Sequence, residues 1–256
     1  MEIYLIAGLI LSTLIGISLG LIGGGGSIII IPVLVYVLGV EAHQALDMSL
    51  AIVGTTSLIG AALHSQRGTI KLKTGALFSV TSTLSAYFSS RLTYLVSKTT
   101  LFLSIATLMI CIALSMLIKR QNNQGLLISQ SNIRSNSKVL LAGLIVGLLT
   151  GFLGTGGGFL VVPALVLFCG ISMKDAIGTA LLIVAIDCCA GLIGHLRYGG
   201  FDPRVTFLLT MAAIDGALIG TALSHRVSSV SLRKWFAMFI IAVAIFLIVK
   251  NYTAPF

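Results

Sequence analysis

Two glycine-rich interruptions of otherwise apolar sequence constrain this chain more than any other feature. Residues 20–32 read Gly-Leu-Ile-Gly-Gly-Gly-Gly-Ser-Ile-Ile-Ile-Ile-Pro, and residues 151–163 read Gly-Phe-Leu-Gly-Thr-Gly-Gly-Gly-Phe-Leu-Val-Val-Pro. The two copies are 131 residues apart, since 151 − 20 = 131. Glycine weakens a helix, and a break inside a bilayer is tolerated only where its backbone is buried in protein or lines a cavity. The pair therefore predicts the centre of a transport pathway.

The composition indicates a membrane protein. Hydrophobic residues make up 57% of the 256 residues and charged residues 9%, whereas soluble domains carry about 25% charged residues. A spanning helix needs roughly 20 residues, so the length allows about eight to ten crossings and almost no extramembrane domain. The formal charge of +9 comes from basic residues in short loops, which favours a role in membrane orientation and not in nucleic-acid binding. The predicted fold class is an all-α polytopic membrane protein.

The second half of the chain repeats the first. Three small residues at four-residue spacing, which favour close helix packing, occur in both halves as Ser12, Gly16, Gly20 and as Gly143, Gly147, Gly151. The same offset relates Gly39 to Gly170, Ala45 to Ala176, Gly60 to Gly191, His64 to His195 and Gly68 to Gly199. We therefore predict a first membrane repeat (1–118), a basic cytoplasmic linker (119–138) and a second membrane repeat (139–256). Each repeat is expected to hold about four or five membrane helices, with the glycine-broken short helices meeting near the midplane.

Two topologies are compatible with this repeat. If the short apolar pieces 28–40 and 159–170 both cross the membrane, the chain has ten spans and inverted repeats, with eleven basic residues on the cytoplasmic side and five outside. If both pieces are re-entrant, there are eight spans in parallel repeats, with ten basic residues inside and six outside. The positive-inside rule mildly favours the ten-span arrangement.

The paired G-x-x-G-x-G-G-x-x-x-x-x-P motifs, the half-length repeats and the basic linker resemble the sulfite exporter TauE/SafE family of membrane permeases. The resemblance covers essentially the whole chain. It implies a multi-pass inner-membrane carrier for sulfur-containing anions such as sulfite, thiosulfate or organosulfonates. A carrier for a different small solute and an intramembrane enzyme are the alternatives.

The glycine breaks are the predicted substrate-binding site. A short helix that begins after a break directs its first N–H groups and the positive end of its dipole at the break, which favours an anion. Neighbouring hydroxyl groups add donors. The predicted substrate-binding residues are Gly23, Gly24, Gly25, Gly26, Ser27, Thr155, Gly156, Gly157, Gly158 and Thr56. The alternative is that the glycines only allow helices to cross closely.

Two acidic and two basic side chains complete the predicted site. Asp187 and Asp215 lie in the middle of apolar segments, where an ionisable group is costly unless it is paired or faces water. Both are candidates for proton coupling, and the alternative is a protonated Asp that is bonded to a nearby Ser or Thr. His64 and His195 end their segments and are candidates for gates or for plain headgroup contacts.

One pattern is typical of an enzyme. Gly16-Ile-Ser18-Leu-Gly20 fits the G-x-S-x-G nucleophile elbow, but that motif requires a strand, a turn and a helix, whereas this segment is predicted to be a membrane helix. We therefore expect no enzyme, no cofactor and no metal site, and the four cysteines are interpreted as core residues. The expected partners are the lipid bilayer and a small anionic solute, with no nucleic acid. Association into a homo-oligomer is compatible with the sequence.

Overall fold

A computed structural model of the chain describes residues 2–24, 26–90, 107, 109–116, 136–153, 158–195 and 202–253. All regular structure in these ranges is helical. The helices are α1 (Glu2–Ile22), α2 (Ser27–Tyr36), α3 (Ala42–Gln66), α4 (Leu72–Ser90), α5 (residues 109–116), α6 (Asn136–Leu153), α7 (Gly158–Leu167), α8 (Met173–His195), α9 (Pro203–Arg226) and α10 (Ser229–Thr253).

Several of these helices are long and apolar enough to cross a membrane. The stretches that meet both requirements are Tyr4–Ile22, Gln44–Gln66, Met173–Ile193 and Pro203–Ser224. In contrast, α2 and α7 have 10 residues each. They are therefore about 15 Å long, which is half of a hydrocarbon core of about 30 Å. The predicted all-α polytopic fold, with two short apolar helices after the glycine breaks, is confirmed.

The helix bounds recur at the offset of the sequence repeat. Adding 131 to the bounds of α2 (27–36) gives those of α7 (158–167), and adding 131 to the first residues of α3 and α4 (42 and 72) gives those of α8 and α9 (173 and 203). Most of the predicted linker lies outside the described residues. Helix α6 already begins at Asn136, so the last three residues of the predicted linker (136–138) are helical.

The small-residue ladders make the closest helix crossings. A Cβ atom at Gly16 of α1 would overlap the carbonyl oxygen of Ala213 on α9. A Cβ atom at Gly147 of α6 would overlap the carbonyl oxygen of Ser82 on α4. These two crossings are equivalent in the repeat, since 16 + 131 = 147 and 82 + 131 = 213. The prediction that these ladders serve close helix packing is confirmed.

The repeat-equivalent helices α3 and α8 pack against each other in opposite directions. A Cβ atom at Gly60 would lie 3.1 Å from Leu181 Cδ1, and one at Gly54 would lie 3.0 Å from Cys188 Cβ. Residue numbers thus fall along α8 as they rise along α3. A symmetry operation that exchanges two antiparallel helices is a two-fold rotation about an axis perpendicular to them. The two halves are therefore inverted with respect to each other.

Helix α4 runs parallel to both α8 and α6. Its neighbours on α8 advance together with it, from the backbone N–H of Lys71, which donates to Thr179 Oγ1 (3.1 Å), to the hydroxyl of Thr83, which donates to Asp187 (2.7 Å). On α6, Gly143 faces Phe78 and Gly147 faces Ser82. Helices α6 and α8 are thus parallel. The segment between them, which contains α7, therefore returns from the level at which α6 ends to the level at which α8 begins. These directions fit inverted repeats and not parallel ones.

Basic side chains gather at one end of the helix bundle. The Lys71 ammonium lies 3.7 Å from the Asp175 carboxylate, and the Arg67 guanidinium donates to the carbonyl oxygen of Thr221 (3.5 Å). These contacts bring together the end of α3 and the starts of α4 and α8 with the end of α9. We call this the basic end, defined by Arg67, Lys71, Lys73, Lys174 and Arg226. The positive-inside rule predicts that it faces the cytoplasm.

The crossing of α1 with α9 predicts the effect of a single methyl group. We expect Gly16→Ala to lower the thermal unfolding temperature of the purified protein in detergent, because the two backbones must separate, at a typical cost of about 1–3 kcal/mol. Gly75→Ala on α4 is the matched control, since its new Cβ would make only ordinary contacts of 3.4 and 3.5 Å. Equal unfolding temperatures for the two variants would contradict the crossing geometry.

The helix directions predict a labelling pattern. In a cysteine-free background, Ser65→Cys and Ser229→Cys should react with an impermeant maleimide from the same side of the membrane, because the end of α3 and the start of α10 both lie at the basic end. Parallel repeats would place the two residues on opposite sides. Labelling of sealed vesicles of both orientations distinguishes the two outcomes.

Candidate functional site

The two glycine breaks meet inside the bundle. Helix α1 ends at Ile22, and Gly23 and Gly24 follow with positive φ angles of 79° and 154°, which favour glycine. A Cβ atom at Gly24 would overlap the carbonyl oxygen of Gly158, the first residue of α7. A Cβ atom at Gly158 would in turn lie 3.2 Å from the hydroxyl oxygen of Ser27, the first residue of α2. The N-terminal ends of the two short helices are therefore in contact.

The first turn of α2 uses part of its hydrogen-bonding capacity locally. The Ser27 hydroxyl donates to the carbonyl oxygen of Gly24 (2.8 Å), and the Ile29 N–H donates to that of Gly26 (3.2 Å). Ser27 is thus tied to the glycine turn in this state. The positive ends of two helix dipoles nevertheless converge here, in a buried position, which favours negative charge.

Some of the predicted binding residues lie outside the described part of the chain. These are Gly25, Thr155, Gly156 and Gly157. Their assignment to the site stays a prediction. Of the predicted glycines, the described ones in the first break and at the start of α7 are brought together by the fold.

Asp187 lies on α8 one helical turn from Val184, which contacts this meeting point. A Cβ atom at Gly158 would be 2.9 Å from Val184 Cγ2, and Asp187 follows Val184 by three residues on α8. Asp187 is partly buried and accepts a hydrogen bond from the hydroxyl of Thr83 on α4 (2.7 Å). An acid at this depth thus has a polar partner on a neighbouring helix, as expected for an ionisable group within a membrane protein.

Thr56 takes the place of Asp187 in the other half, since 56 + 131 = 187. Its side chain is 1% exposed, and its Oγ1 atom has no hydrogen-bond partner among the described residues. The neighbouring Ser57 is fully buried, and its hydroxyl likewise lacks a partner there, whereas Thr55 is exposed. The predicted residue Thr56 therefore contributes an unpaired polar atom to the core.

Asp215 is separate from this site. It lies on the outward face of α9, is exposed, and is surrounded along the helix by the exposed apolar side chains of Met211, Leu218 and Ile219. Asp215 is therefore not buried in the bundle, and its role in proton coupling stays a prediction. Position in the middle of an apolar segment does not tell which side of a helix a residue occupies, and here the inward side carries Ala213 and Gly216.

The two histidines lie at opposite ends of the bundle. His64 is 1% exposed at the basic end, where its Nδ1 atom lies 2.9 Å from Thr69 Oγ1 and its Cβ atom packs on Gly178 of α8. Thr69 also donates to the carbonyl oxygen of His64 (3.0 Å), so these contacts fix the turn between α3 and α4. His195 ends α8 at the other end. Their role as gates stays a prediction.

The G-x-S-x-G pattern lies on one continuous helix. Ser18 is in the middle of α1, and the flanking Gly16 and Gly20 pack against the backbone of α9. The strand, turn and helix that a nucleophile elbow requires are not found there. Helix packing accounts for both glycines.

Sequence reasoning missed the contribution of α4. This helix carries eight Ser or Thr residues between Leu72 and Ser90, and one of them, Thr83, is the partner of Asp187. Ser82 is a further hydroxyl neighbour of the same carboxylate. The density of hydroxyl groups was the available signal. Such groups often bond only to the preceding turn, as the hydroxyl of Ser85 does to the carbonyl oxygen of Thr81.

Comparisons with known proteins agree on one family. A family model described as "Sulfite exporter TauE/SafE" matches residues 8–247. A probable membrane transporter protein of Xylella fastidiosa (strain Temecula1 / ATCC 700964) is 33% identical over 248 residues and one of strain 9a5c is 31% identical over 244 residues, each alignment covering 94% of both chains. The probable membrane transporter protein YdhB of Bacillus subtilis (strain 168) is 26% identical over 225 residues, covering 86% of this chain and 91% of the relative. No solved structure matches the chain significantly.

The hydrogen bond between Thr83 and Asp187 predicts how two substitutions of Thr83 change the stability of the protein. We expect Thr83→Val to destabilise the protein by about 1–3 kcal/mol, because a buried carboxylate loses its donor. Thr83→Ser keeps a hydroxyl at this position and should stay close to the wild type. Thermal unfolding in detergent measures both, and equal losses for Val and Ser would show that packing and not the hydrogen bond matters.

Proposed function

The chain belongs to the sulfite exporter TauE/SafE family of membrane transporters, and from this premise we propose that it is a secondary carrier of small sulfur-containing anions such as sulfite, thiosulfate or organosulfonates. We place it in the inner membrane as a multi-pass protein that moves its substrate without chemical change. One observation carries the substrate class. The N-terminal ends of two half-length helices meet at Gly24, Ser27 and Gly158, and their dipoles favour an anion.

The inverted repeats supply a mechanism for alternating access. Helices α3 and α8 are equivalent in the repeat and antiparallel, and the two breaks meet beside them. A change that exchanges the conformations of the two halves then exchanges the side from which the meeting point is open. The anion stays at one place while the surrounding helices rock around it.

Asp187 gives the carrier a means of proton coupling. When ionised, its carboxylate, which follows by one turn of α8 the residue that contacts Gly158 (Val184), repels an anion bound at the breaks. Two like charges about 5 Å apart at an effective dielectric constant of about 20 repel each other by on the order of 3 kcal/mol. Protonation of Asp187 removes this repulsion, so proton and anion bind more tightly together than alone, which is the requirement for moving both in the same direction.

Flux measurements test this proposal. In proteoliposomes that hold the purified protein, we expect sulfite, thiosulfate or methanesulfonate to move faster down an inward proton gradient than without one. Asp187→Asn should remove the effect of the gradient, because its amide is always neutral. Asp215→Asn is the matched control and should retain it, since Asp215 lies on the outward face of α9.

Two results would count against different parts of the proposal. If none of the three anions moves, the assigned substrate class is wrong. If an anion moves and Asp187→Asn responds to the gradient as the wild type does, the coupling role of Asp187 is wrong.

A further inference from the structure

One face of α4 connects the basic end with Asp187. Lys71, which precedes α4, and Gly75, Ser79 and Thr83 are spaced by four residues and therefore follow one inclined ridge of the helix. Contacts at both ends of this row face α8, at Thr179 near the basic end and at Asp187 deeper in the bundle. We call these four positions the α4 row. From Lys71 to Thr83 it rises about 18 Å, which is more than half of the hydrocarbon core.

Ser79 is the unexplained member of the row. It is 3% exposed, and its hydroxyl has no hydrogen-bond partner among the described residues. Buried hydroxyl groups are normally paired with protein or water, so an unpaired one indicates a polar occupant beside it. By position, Ser79 lies between Gly75 and Thr83, both of which face α8.

Gly75 leaves space next to Ser79. A Cβ atom there would lie 3.4 Å from Thr179 Cγ2 and 3.5 Å from Leu182 Cδ2, which are ordinary contacts. A methyl group bonded to the Gly75 Cα therefore fits without displacing a neighbour. This differs from Gly16 and Gly147, where a Cβ atom would overlap a neighbouring backbone. Close packing thus explains those two glycines but does not explain Gly75.

The end of the α4 row at Lys71 and Asp175 is charged and exposed to water, and we call it the mouth. The Lys71 side chain is 52% exposed, that of Asp175 is 27% exposed, and their charged groups are 3.7 Å apart. Thr179, which accepts the Lys71 N–H, donates its own hydroxyl to the carbonyl oxygen of Asp175 (2.7 Å). Polar groups therefore begin at water on both helices. They continue inward on α4, whereas residues 180–186 of α8 are apolar.

The other half of the molecule lacks an equivalent row. Adding 131 gives Asp202, Thr206, Thr210 and Ile214 on α9. The hydroxyls of Thr206 and Thr210 donate to the carbonyl oxygens one turn earlier, each over 2.7 Å. An apolar Ile stands where Thr83 stands on α4. This asymmetry matches the presence of Asp187 in one half and of Thr56 in the other.

We propose that the α4 row is the path by which a proton passes between water at the basic end and Asp187. The step involves no redox change. Water beside the Ser79 hydroxyl takes up a proton from the bulk at the mouth and donates one to Thr83, whose hydroxyl gives its proton to the Asp187 carboxylate. One proton is thus moved to Asp187, and the water and the Thr83 hydroxyl are restored. Among the residues that the structure describes, the other titratable groups beside Asp187 are Cys188 and Cys189 on α8. From α4 it faces the hydroxyls of Ser82 and Thr83, and α3 presents Gly54 to the adjacent Cys188.

This inference rests on the coupling role proposed for Asp187, but its first test does not require transport. In a background with Cys111, Cys169, Cys188 and Cys189 replaced, Ser79→Cys is exposed to Ag⁺, which is about as small as a water molecule and binds thiolates. The matched control is Thr210→Cys, the repeat-equivalent position. Sealed vesicles of each orientation are treated with Ag⁺ for increasing times and then dissolved in denaturing detergent with a maleimide. The fraction of thiol that no longer reacts with the maleimide gives the rate of Ag⁺ binding.

We expect the thiol of the Ser79→Cys variant, with Ag⁺ added at the basic end, to react at least tenfold faster than that of the Thr210→Cys variant with Ag⁺ added at the opposite end. Each thiol is then probed from the end at which its own helix begins. Equal rates for the two variants, or reaction of the Ser79→Cys variant only from the opposite end, would overturn the path. The Ag⁺ measurement does not depend on which substrate the protein carries.

Proton flux provides the second test. With a pH-sensitive dye inside proteoliposomes and thiosulfate as the probe, Ser79→Ala and Gly75→Val should lower thiosulfate-driven proton uptake about tenfold. Ser79→Thr, which restores a hydroxyl, and Thr210→Ala should behave as the wild type. Unchanged uptake in Ser79→Ala and Gly75→Val would overturn the path. A wild-type protein that moves no thiosulfate would instead count against the proposed substrate, and the Ag⁺ result would then decide on the path.

Discussion

The antiparallel packing of α3 on α8 is the interaction on which the rest of the arrangement depends. These helices are equivalent in the repeat, and because they run in opposite directions, the two halves must be related by an axis across the bundle. The equivalent crossings of α1 with α9 and of α6 with α4 follow from that axis, as does the meeting of the two short helices. The glycines along these interfaces matter because helices in a bilayer associate through close packing, without a hydrophobic driving force between them.

Much of the fold could be predicted because the repeat is most evident at glycine and proline positions, and these residues directly determine the backbone conformation. The offset of 131 residues, the short helices and the close-packing ladders all follow from such positions. The directions of packing could not be derived, since an apolar helix in lipid has no sequence signal as strong as the polar face of a soluble one. Asp215 illustrates this, because a central position in a segment carries no information about the side of the helix.

The candidate site was predictable in part for the same reason. The breaks define a place where backbone donors converge, and Gly24, Ser27 and Gly158 are in contact. The side chains that make the site asymmetric lie on neighbouring helices and depend on tertiary contacts. Thr83 could not be selected among the many hydroxyl groups of α4 without the position of α8. The two nearly equivalent halves thus differ beside the candidate site, where one half has the acid Asp187 and the other has the hydroxyl of Thr56.

The inverted relation between the halves has a consequence for how such a chain is joined. A unit with an odd number of crossings begins on one face of the membrane and ends on the other. Two such units fused end to end are therefore automatically inverted, and their junction needs no extra crossing helix. The described helix ends on either side of the predicted linker, Met116 of α5 and Asn136 of α6, both lie at the basic end. The Arg233 guanidinium donates to the carbonyl oxygen of Met116, and α6 runs parallel to α4. Two separate copies of one such half, inserted in opposite orientations, would make the same helix contacts across the two-fold axis.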